Sequence, residues 1–497
     1  MRSRWPLLPA LLFLCLGFVA GRAPAQGPPA TDGATAEEQG DATGAGAGGR
    51  ELFLVYSINN LGYIDVCGCK HKKVRQGSLT RRATYLHEAA VHHPHMLLID
   101  GGNTLFRRDD RKKKPHERLQ AAEKAKVIVE AYNRMGYRAT VIGHYDLSLG
   151  LERLREYEQM AKFPFLSANL AWKESGALLF PPTTELEVNG IKVGILGLSL
   201  ASLQPYYLDM KAPGAEVIDT LEAARRHVPG LRERNDLVIV LSQNSADFNR
   251  ELAREVPGID FILDPLIQMG SNKIWLDEEE LREQIGDALI LRTDSQGARL
   301  GTLDLRVVPS GGAFVDRAAG SPVPAARSSY AFERLSLEPY FLEDPDIKRL
   351  VEQFKTSTRF VSTETLPPLP DKEKFLTASA CADCHAAQHE WWQKSKHSHA
   401  FASLEETGDQ WRQDCIGCHT LGYGLAFIRP EDAEPYKNVQ CESCHGLNPE
   451  HIDDPEAHPW PRIKETACLV CHNKEQTRNE FVFLRERRKV ACPKMEP

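Results

Sequence analysis

One short pattern occurs four times near the end of this 497-residue chain and constrains its fold more than any other feature. Each copy has two cysteines separated by two residues, with a histidine directly after the second cysteine. The copies are CADCH (381–385), CIGCH (415–419), CESCH (441–445) and CLVCH (468–472). A segment with four such copies so close together has to fold around whatever these side chains bind.

Two intervening residues place both thiols on one side of a single turn, and the next residue brings an imidazole to the same side. In this arrangement two cysteines can add to the vinyl groups of a haem while the histidine coordinates its iron. Zinc would need two cysteine pairs per ion, and neither zinc nor a disulfide explains a histidine after every pair. The sequence therefore predicts four covalent c-type haems.

These haems assign roles to twelve residues. The proximal iron ligands are His385, His419, His445 and His472, and the haem-attaching residues are Cys381, Cys384, Cys415, Cys418, Cys441, Cys444, Cys468 and Cys471. So little polypeptide remains per haem that the porphyrins are expected to form the core. Four tryptophans of the same segment are expected to pack on them: Trp391, Trp392, Trp411 and Trp460.

Each iron has a sixth position, and histidine is its expected ligand because the one methionine of this region, Met495, lies near the chain end. Bis-histidine haems usually have lower potentials than His/Met haems. The histidines available are His389, His397, His399, His451 and His458. Five candidates permit four closed haems, or one iron that is open to substrate.

Two stretches, WWQKSKHSHAFASL and CESCHGLNPEH, resemble the tetrahaem and octahaem cytochrome c families of nitrogen-cycle electron transfer. Those families carry a W-x-x-S-x-H-x-x-A stretch after the first haem motif and a CESCHG block followed by a histidine at the third. The resemblance covers residues 376–475 and implies that His397 and His451 are distal ligands. His399 and His458 are further candidates, whereas His389 is compatible with a surface position.

The larger N-terminal part alternates short apolar runs with amphipathic stretches. The runs ELFLVYSI, HMLLID, RATVI, IKVGILGLS, DLVIVLS and GIDFILD predict strands. HERLQAAEKAKVIVEAYNRMG predicts a helix that ends at Gly136, and DTLEAARRHV a helix capped by Asp219. The alternation predicts an α/β layered sandwich, followed by a small, mostly helical and irregular cytochrome domain.

Blocks of this part, in order, resemble the calcineurin-like metallophosphoesterases of the periplasmic 5′-nucleotidase and UDP-sugar hydrolase branch. The blocks are LLIDGGNTL, ATVIGHYDLSLGLE with FPFLSANL, DLVIVLSQ and VPGIDFILDPLIQ. The resemblance implies that fold over about 250 residues, and a site where two metals held by Asp, His and Asn activate a hydroxide.

Every metal-ligand position that this resemblance implies carries a different residue. The replacements are Asn59, Leu61, Asn103, His144, Tyr145, Asp146, Gln243, Leu266 and Gln268. An asparagine amide has no charge to hold a divalent cation, and a leucine has no donor atom. The dimetal site is therefore expected to be lost.

The segment YIDVCGCKHKK places Cys67 and Cys69 in the loop after the first strand, beside this degenerate site. One interpretation is a redox pair or a thiolate metal site, with His71 or His144 as a further ligand. The alternative is a static disulfide or two inert thiols. The charged run RRDDRKKKP (107–115) is expected to be a solvated loop, with docking of an acidic partner as the alternative.

The chain ends and linkers complete the expected organisation. Arg2 and Arg4, an apolar stretch and Ala23-Pro24-Ala25 predict a signal peptide, with no membrane span after cleavage. The formal net charge of −7 gives no general attraction to nucleic acid. The expected segments are a signal peptide (1–25), a flexible linker (26–50), a phosphoesterase-like domain (51–309), a linker with a helix (310–375), a tetrahaem domain (376–475) and a tail (476–497).

These features favour a periplasmic electron carrier with four haems that exchanges electrons with periplasmic or membrane-associated partners. Its N-terminal domain would dock partners or relay electrons through Cys67 and Cys69. One alternative is a multihaem oxidoreductase whose open iron acts on a small nitrogen or sulfur compound. The other is a working nucleotidase with a haem appendage.

Overall fold

The computed structural model describes residues 49–65, 77–107, 110, 115–265, 276–309, 311–320, 322–360, 375–460, 462–473 and 481–493. The expected signal peptide and nearly all of the expected N-terminal linker lie outside these residues. Cys67, Cys69, His71, Leu266 and Gln268 also lie outside them. In the described part of the chain, no helix has the length and apolar character needed to cross a bilayer.

Most strands of the described chain form two large sheets. In chain order the strands are β1 (Arg50–Ser57), β2 (Met96–Asp100), β3 (Thr140–Val141), β4 (Phe165–Leu166), β5 (Leu170–Trp172), β6 (Thr183–Val188), β7 (Ile191–Leu198), β8 (Ala215–Val217), β9 (Leu237–Ser242), β10 (Phe261–Leu263), β11 (Arg282–Ile285), β12 (Ala288–Leu291), β13 (Arg299–Val307), β14 (Val315–Asp316) and β15 (Ser329–Ser336). The first sheet has the order β14-β15-β13-β1-β2-β3-β4 and the second β11-β12-β10-β9-β7-β6, while β5 pairs with β8.

The helices of the described chain are longer in its N-terminal part than in its C-terminal part. They are α1 (Leu79–His92), α2 (Pro115–Met135), α3 (Leu151–Met160), α4 (Pro205–Lys211), α5 (Thr220–Arg234), α6 (Ala246–Glu255), α7 (Pro345–Phe360), α8 (Thr377–Ala382), α9 (Ala386–Gln393), α10 (Ala402–Glu405), α11 (Gln413–His419), α12 (Cys441–His445), α13 (Glu465–Leu469) and α14 (Phe483–Val490). Short 3-10 turns connect several of them.

Alternation along the strands explains the layers. Leu54 of β1 faces the second sheet and packs in one hydrophobic cluster with Ile195 and Ile239. Its neighbour Val55 faces the other way, into a cluster that includes Ile128 of α2. Helices α5 and α6 cover the outer face of the second sheet in the same manner. Two sheets thus pack face to face between helical layers, which confirms the predicted α/β layered sandwich.

Parallel pairing directs the central strands to one edge of this sandwich. Strands β1, β2, β3 and β4 pair in parallel in the first sheet, and β7, β9 and β10 do so in the second. Their carboxyl ends, and the loops that follow them, therefore meet at a common edge. In layered α/β folds this is the edge where functional loops collect.

The strands and helices predicted from local signals in the N-terminal part are present in the structure. The six predicted strands are β1, β2, β3, β7, β9 and β10, and α2 ends before Gly136, whose φ is 82°. Asp219 caps α5 by accepting a hydrogen bond from the Glu222 amide at 2.8 Å. The expected linker 310–375, however, contains β15, which pairs along its whole length with β13. Residues 310–328, which lie before β15, are mostly small or polar and therefore favour a linker. Tyr330 and Phe332 of β15 have strand spacing, but this run is short.

The C-terminal part consists of short helices joined by turns. Its hydrophobic cluster among the described residues is small and is built from Phe401, Leu404, Ile416, Ala426, Phe427 and Ala433. The motif cysteines are mostly only partly buried. This region therefore has the mostly helical and irregular character predicted for it, and its polypeptide alone buries little apolar surface.

Candidate haem sites and the edge of the sheets

The four CxxCH motifs lie on short helical turns. The second and third motifs are contained in α11 and α12, and the fourth begins at Cys468 of α13. In the first motif the His385 amide donates to the Cys381 carbonyl at 2.9 Å, and in the fourth the His472 amide donates to the Cys468 carbonyl at 2.8 Å. One helical turn thus brings each histidine back over its first cysteine.

The motifs also contact one another in pairs. Helix α8, which carries Cys381, packs against α12, which carries Cys441, and the Ala378 amide donates to the Gln440 side chain at 2.6 Å, which joins the first motif to the third. Cys471 donates from Sγ to the Cys418 carbonyl at 3.8 Å, which joins the fourth motif to the second. None of the cysteines in the described residues forms a disulfide.

Two histidines outside the motifs face histidines inside them. The ring centres of His385 and His451 are 6.1 Å apart, and those of His397 and His472 are 6.2 Å apart. Two imidazoles that coordinate one metal from opposite sides, with metal–nitrogen bonds of about 2 Å, have ring centres roughly 6 Å apart. Both separations are therefore those expected of axial ligands to one iron.

Hydrogen bonds orient some of these rings for coordination through Nε2. His451 donates from Nδ1 to the His458 carbonyl at 2.8 Å, and His419 donates from Nδ1 to the Ala400 carbonyl at 2.6 Å. A carbonyl can only accept, so the proton is on Nδ1 and the lone pair is on Nε2. This arrangement is typical of metal-binding histidines.

The other histidine candidates lie elsewhere. His399 is exposed and its Nδ1 lies 3.1 Å from the Ser395 carbonyl oxygen. His458 is also exposed and contributes its backbone carbonyl rather than its ring to His451. The ring centre of His389 is 5.5 Å from that of Trp392. None of these three rings is seen to face a motif histidine within the described residues.

The residues around the second motif fit a haem as well. Gln413 is 3% exposed, yet neither its Nε2 nor its Oε1 has a hydrogen-bond partner among the described residues. The buried hydroxyl of Tyr423 also has no hydrogen-bond partner among the described residues. The Tyr423 ring packs beside Gly417, the residue before Cys418 in the second motif. Buried polar atoms usually have partners, and the carboxylates of a haem would accept from both donors. The thiol pairs, the imidazoles and these polar atoms form a suitable donor set.

The second motif lies against the α/β domain. Gln120 of α2 donates from Nε2 to the Trp411 carbonyl and accepts from the Gln413 amide, both at 2.8 Å. Lys124, one helical turn further, is 3.1 Å from the carboxylate of Asp414. These two side chains hold the residues directly before Cys415 on the surface of α2.

Arg107 completes this interface and was not identified from the sequence. Its guanidinium lies 3.8 Å from the Asp414 carboxylate and over the ring of Tyr63, whose centre is 5.4 Å away. Arg107 opens the charged run that was expected to be a solvated loop, and this expectation is wrong for Arg107, which is buried. The carboxylate of Asp414 stabilises the Arg107 guanidinium in this buried position. Asp414 is distant in the chain, so the residues next to Arg107 do not reveal this partner.

At the common edge of the sheets, amide side chains bond to one another. Asn103 donates from Nδ2 to the side-chain oxygens of Asn59 at 3.1 Å and Gln243 at 2.6 Å. Its own oxygen accepts from the Tyr145 amide at 2.9 Å. Gln243 donates in turn to the Gly101 carbonyl. The structure thus brings together three of the positions that the phosphoesterase resemblance implied.

Asp146 connects two loops of the same edge through hydrogen bonds. Its carboxylate accepts from the backbone amides of Thr104, Leu105 and Gly143, each at 2.9 Å. Burial raises the pKa of Asp146 to about 7, while these amide donors act in the opposite direction. All of its described contacts tie loops together, which is a structural role.

Two further positions flank this amide cluster. The ring of His144 lies 4.7 Å from that of Tyr207 and 5.1 Å from that of Tyr145. Leu61 has a positive φ of 52°. Among the residues that the structure describes, no three His, Cys, Asp or Glu side chains converge as a metal-ligand set.

Comparisons with known proteins divide the chain in the same way. The family model described as cytochrome c554 and c-prime matches residues 380–446, which include the first three motifs. The N-terminal part is 28% identical over 199 residues to a snake venom 5′-nucleotidase of Gloydius brevicauda, covering 38% of this chain and 31% of that protein. It is 29% identical over 169 residues to a 5′-nucleotidase of Vibrio cholerae, covering 33% and 28%.

The chain thus spans about a third of the length of these curated relatives. Among solved structures, a calcineurin-like phosphoesterase of Bacillus subtilis aligns with a TM-score of 0.48 at 17% identity. That alignment covers 63% of this chain and 99% of the other. The molecule therefore combines a region similar to 5′-nucleotidases with a C-terminal region similar to cytochrome c554.

Proposed function

We propose that this protein is an exported multihaem c-type cytochrome that transfers electrons through four covalently bound haems. The observation that carries the proposal is the arrangement of the four CxxCH motifs. The first contacts the third, the second contacts the fourth, and two motif histidines face an outside histidine at axial-ligand separation. Haems held in adjoining motifs lie close together, as an electron wire requires.

In this proposal the iron ligands come from the residues described above. His451 would serve the haem of the first motif and His397 that of the fourth, both opposite a motif histidine. Each haem supplies one-electron chemistry, and the protein tunes it through axial ligands, hydrogen bonds and burial. The partners would be periplasmic or membrane-associated redox proteins, and the compartment the periplasm.

The test is the haem content of the intact protein. Denatured and reduced protein should keep its haem absorption on the chain, since thioether bonds survive unfolding. The intact mass should exceed that of the polypeptide by four haems. A Cys471→Ala variant, whose fourth motif has only one thiol, is the matched control for attachment. A mass that corresponds to two haems, or stoichiometric zinc without haem, would contradict the proposal.

We further propose that the α/β domain has no dimetal phosphoesterase site. The amide cluster of Asn59, Asn103 and Gln243 supports this, because its donors and acceptors bond to one another where the resemblance implied metal ligands. The domain would instead dock partners or take part in thiol redox chemistry. The assignment of Cys67 and Cys69 as a redox pair rests on the sequence alone.

A second candidate function is an oxidoreductase with an open iron. The observation that favours it is that His419 and His445 have no facing imidazole among the described residues. Burial and the nearby His385 lower the pKa of His445, a direction that favours the neutral ring needed to bind iron. A high-spin band in the spectrum of the oxidised protein would support this function, and a fully low-spin spectrum would exclude it.

A further inference from the structure

The contact between the α/β domain and the second haem motif is a buried charge cluster. At its centre is Asp414, which directly precedes Cys415. Its carboxylate lies 3.0 Å from Arg412, 3.1 Å from Lys124 and 3.8 Å from Arg107. The side chains of Asp414 and Lys124 are only 7% and 4% exposed. Two of the three cations, Lys124 and Arg107, belong to the α/β domain.

The wider surroundings of the cluster contain further charges of both signs. Arg412 also bonds to Asp409 at 3.2 Å, and Lys355 of α7 lies 3.9 Å from the same carboxylate. The cations Lys124, Arg107, Arg412 and Lys355 thus meet the carboxylates Asp414 and Asp409, while Lys355 also lies 3.8 Å from Asp65 and 3.9 Å from Glu352. Cations and carboxylates are therefore equal in number in this cluster. Charges shielded from water act over longer distances than exposed ones, because little solvent screens them.

The field of this cluster reaches the haem-attaching cysteine. Burial raises the pKa of the Cys415 thiol to about 12. The positive charges of Arg412 and Arg107 oppose that rise, and the negative charges of Asp414 and Asp409 add to it. The geometry also holds the charges in place. Gln120 binds the main chain on both sides of Arg412 through its two hydrogen bonds to Trp411 and Gln413.

We propose that Lys124 and Arg107 of the α/β domain raise the reduction potential of the haem attached through Cys415 and Cys418. This inference rests on the proposed function, since it requires a haem at the second motif. Reduction adds one electron to the iron and lowers the charge of the haem by one. A fixed cation nearby stabilises the reduced state relative to the oxidised state, because it is repelled less by the reduced iron. The α/β domain is then a working part of the electron carrier.

The test is a spectroscopic redox titration of the full haem-loaded chain. Lys124→Met removes one buried charge and keeps most of the stem, while Asp414 retains Arg412 as its closest partner. It should shift one of four titration steps to lower potential. Asp414→Asn removes the opposite charge and should shift the same step to higher potential. Lys124→Arg restores the charge and should return the step to its original position.

Lys126→Met is the matched control. Lys126 lies on the same helix, but its side chain is 39% exposed and pairs with Glu123 at 2.7 Å. Removing the Lys126 charge should leave the potentials of all four titration steps unchanged at moderate salt, because exposed charges are screened. The inference is overturned if Lys124→Met and Asp414→Asn shift the step in the same direction, or if neither shifts any step.

Haem content separates this inference from the proposed function. Intact mass is measured for every variant before titration. A chain with four haems and unshifted steps contradicts only the role of Lys124 and Arg107. A wild-type chain without four haems contradicts the proposed function itself. Far-UV circular dichroism confirms that each titrated variant is folded.

Discussion

At the residue scale, two histidines outside the CxxCH motifs are the candidates to close the proposed iron sites. His451 and His397 each face a motif histidine, and His451 is oriented by a hydrogen bond from Nδ1 to a carbonyl. The pairing joins parts that are distant in the chain, since His397 follows the first motif but faces His472 of the fourth. The orientation of these rings therefore depends on the fold of the whole C-terminal region.

The residue-scale prediction concerns these two histidines. Replacing either His451 or His397 by alanine should open one iron, because each faces a motif histidine across the proposed iron site. Each variant should bind one more equivalent of carbon monoxide than the unmodified protein, measured by the shift of the reduced haem absorption.

His458→Ala is the control for this prediction. Its imidazole is exposed, and the variant keeps the backbone carbonyl that orients His451. It should bind no additional carbon monoxide. If the spectra of both His451→Ala and His397→Ala stay low-spin and unchanged, the distal ligands are other residues.

At the scale of elements, the parallel strands bring the loops after β1, β2, β3 and β9 to one edge. In a dimetal phosphoesterase such loops carry charged ligands, and here they carry amides that bond to one another. An amide offers both a donor and an acceptor, so the cluster is satisfied without a cation. The fold of the edge thus persists with a different set of interactions.

The prediction for this edge is that the purified protein does not hydrolyse nucleotides through a metal pair. Every implied ligand position is replaced, and loss of even one ligand carboxylate typically weakens metal binding severely. Metal analysis should find no stoichiometric pair of manganese or zinc, and phosphate release from a nucleotide should equal the background rate.

Asn103→Asp is the informative control for the hydrolysis assay. It returns one carboxylate to the edge but should remain inactive, because Leu61 still offers no donor atom. Metal-dependent hydrolysis by the unmodified protein that disappears in His144→Ala or Asp146→Asn would show instead that a working site exists.

At the scale of the whole molecule, the haem region and the α/β domain share a polar and charged contact. Helix α2 contributes Gln120 and Lys124, the loop after β2 contributes Arg107, and α7 contributes Lys355. Arg359 of α7 also lies over the ring of Trp411, with its guanidinium carbon 5.0 Å from the ring centre. The loop after β2, which also carries Asn103 of the amide cluster, therefore contacts the residue directly before the second CxxCH motif.

The sequence by itself determined the features that depend on neighbouring residues. The CxxCH motifs place two thiols and an imidazole on one turn whatever the rest of the chain does. Short apolar runs likewise predicted β1, β2 and β9, and a helical pattern predicted α2. Tertiary packing favours the same structure as the local pattern in each of these elements. The different residue types at the ligand positions that the phosphoesterase resemblance implied could also be read from the sequence alone.

Only the tertiary structure decided which distant residues meet. It paired His397 with His472 and joined Asn103 to Gln243. It also added β15, which follows the predicted domain boundary at residue 309, to the first sheet. Arg107, which was expected to be an exposed charge, is a buried partner of Asp414 in the structure. The physical reason is that a contact between residues far apart in the chain depends on how the elements pack, and each residue's local pattern is the same with or without that partner.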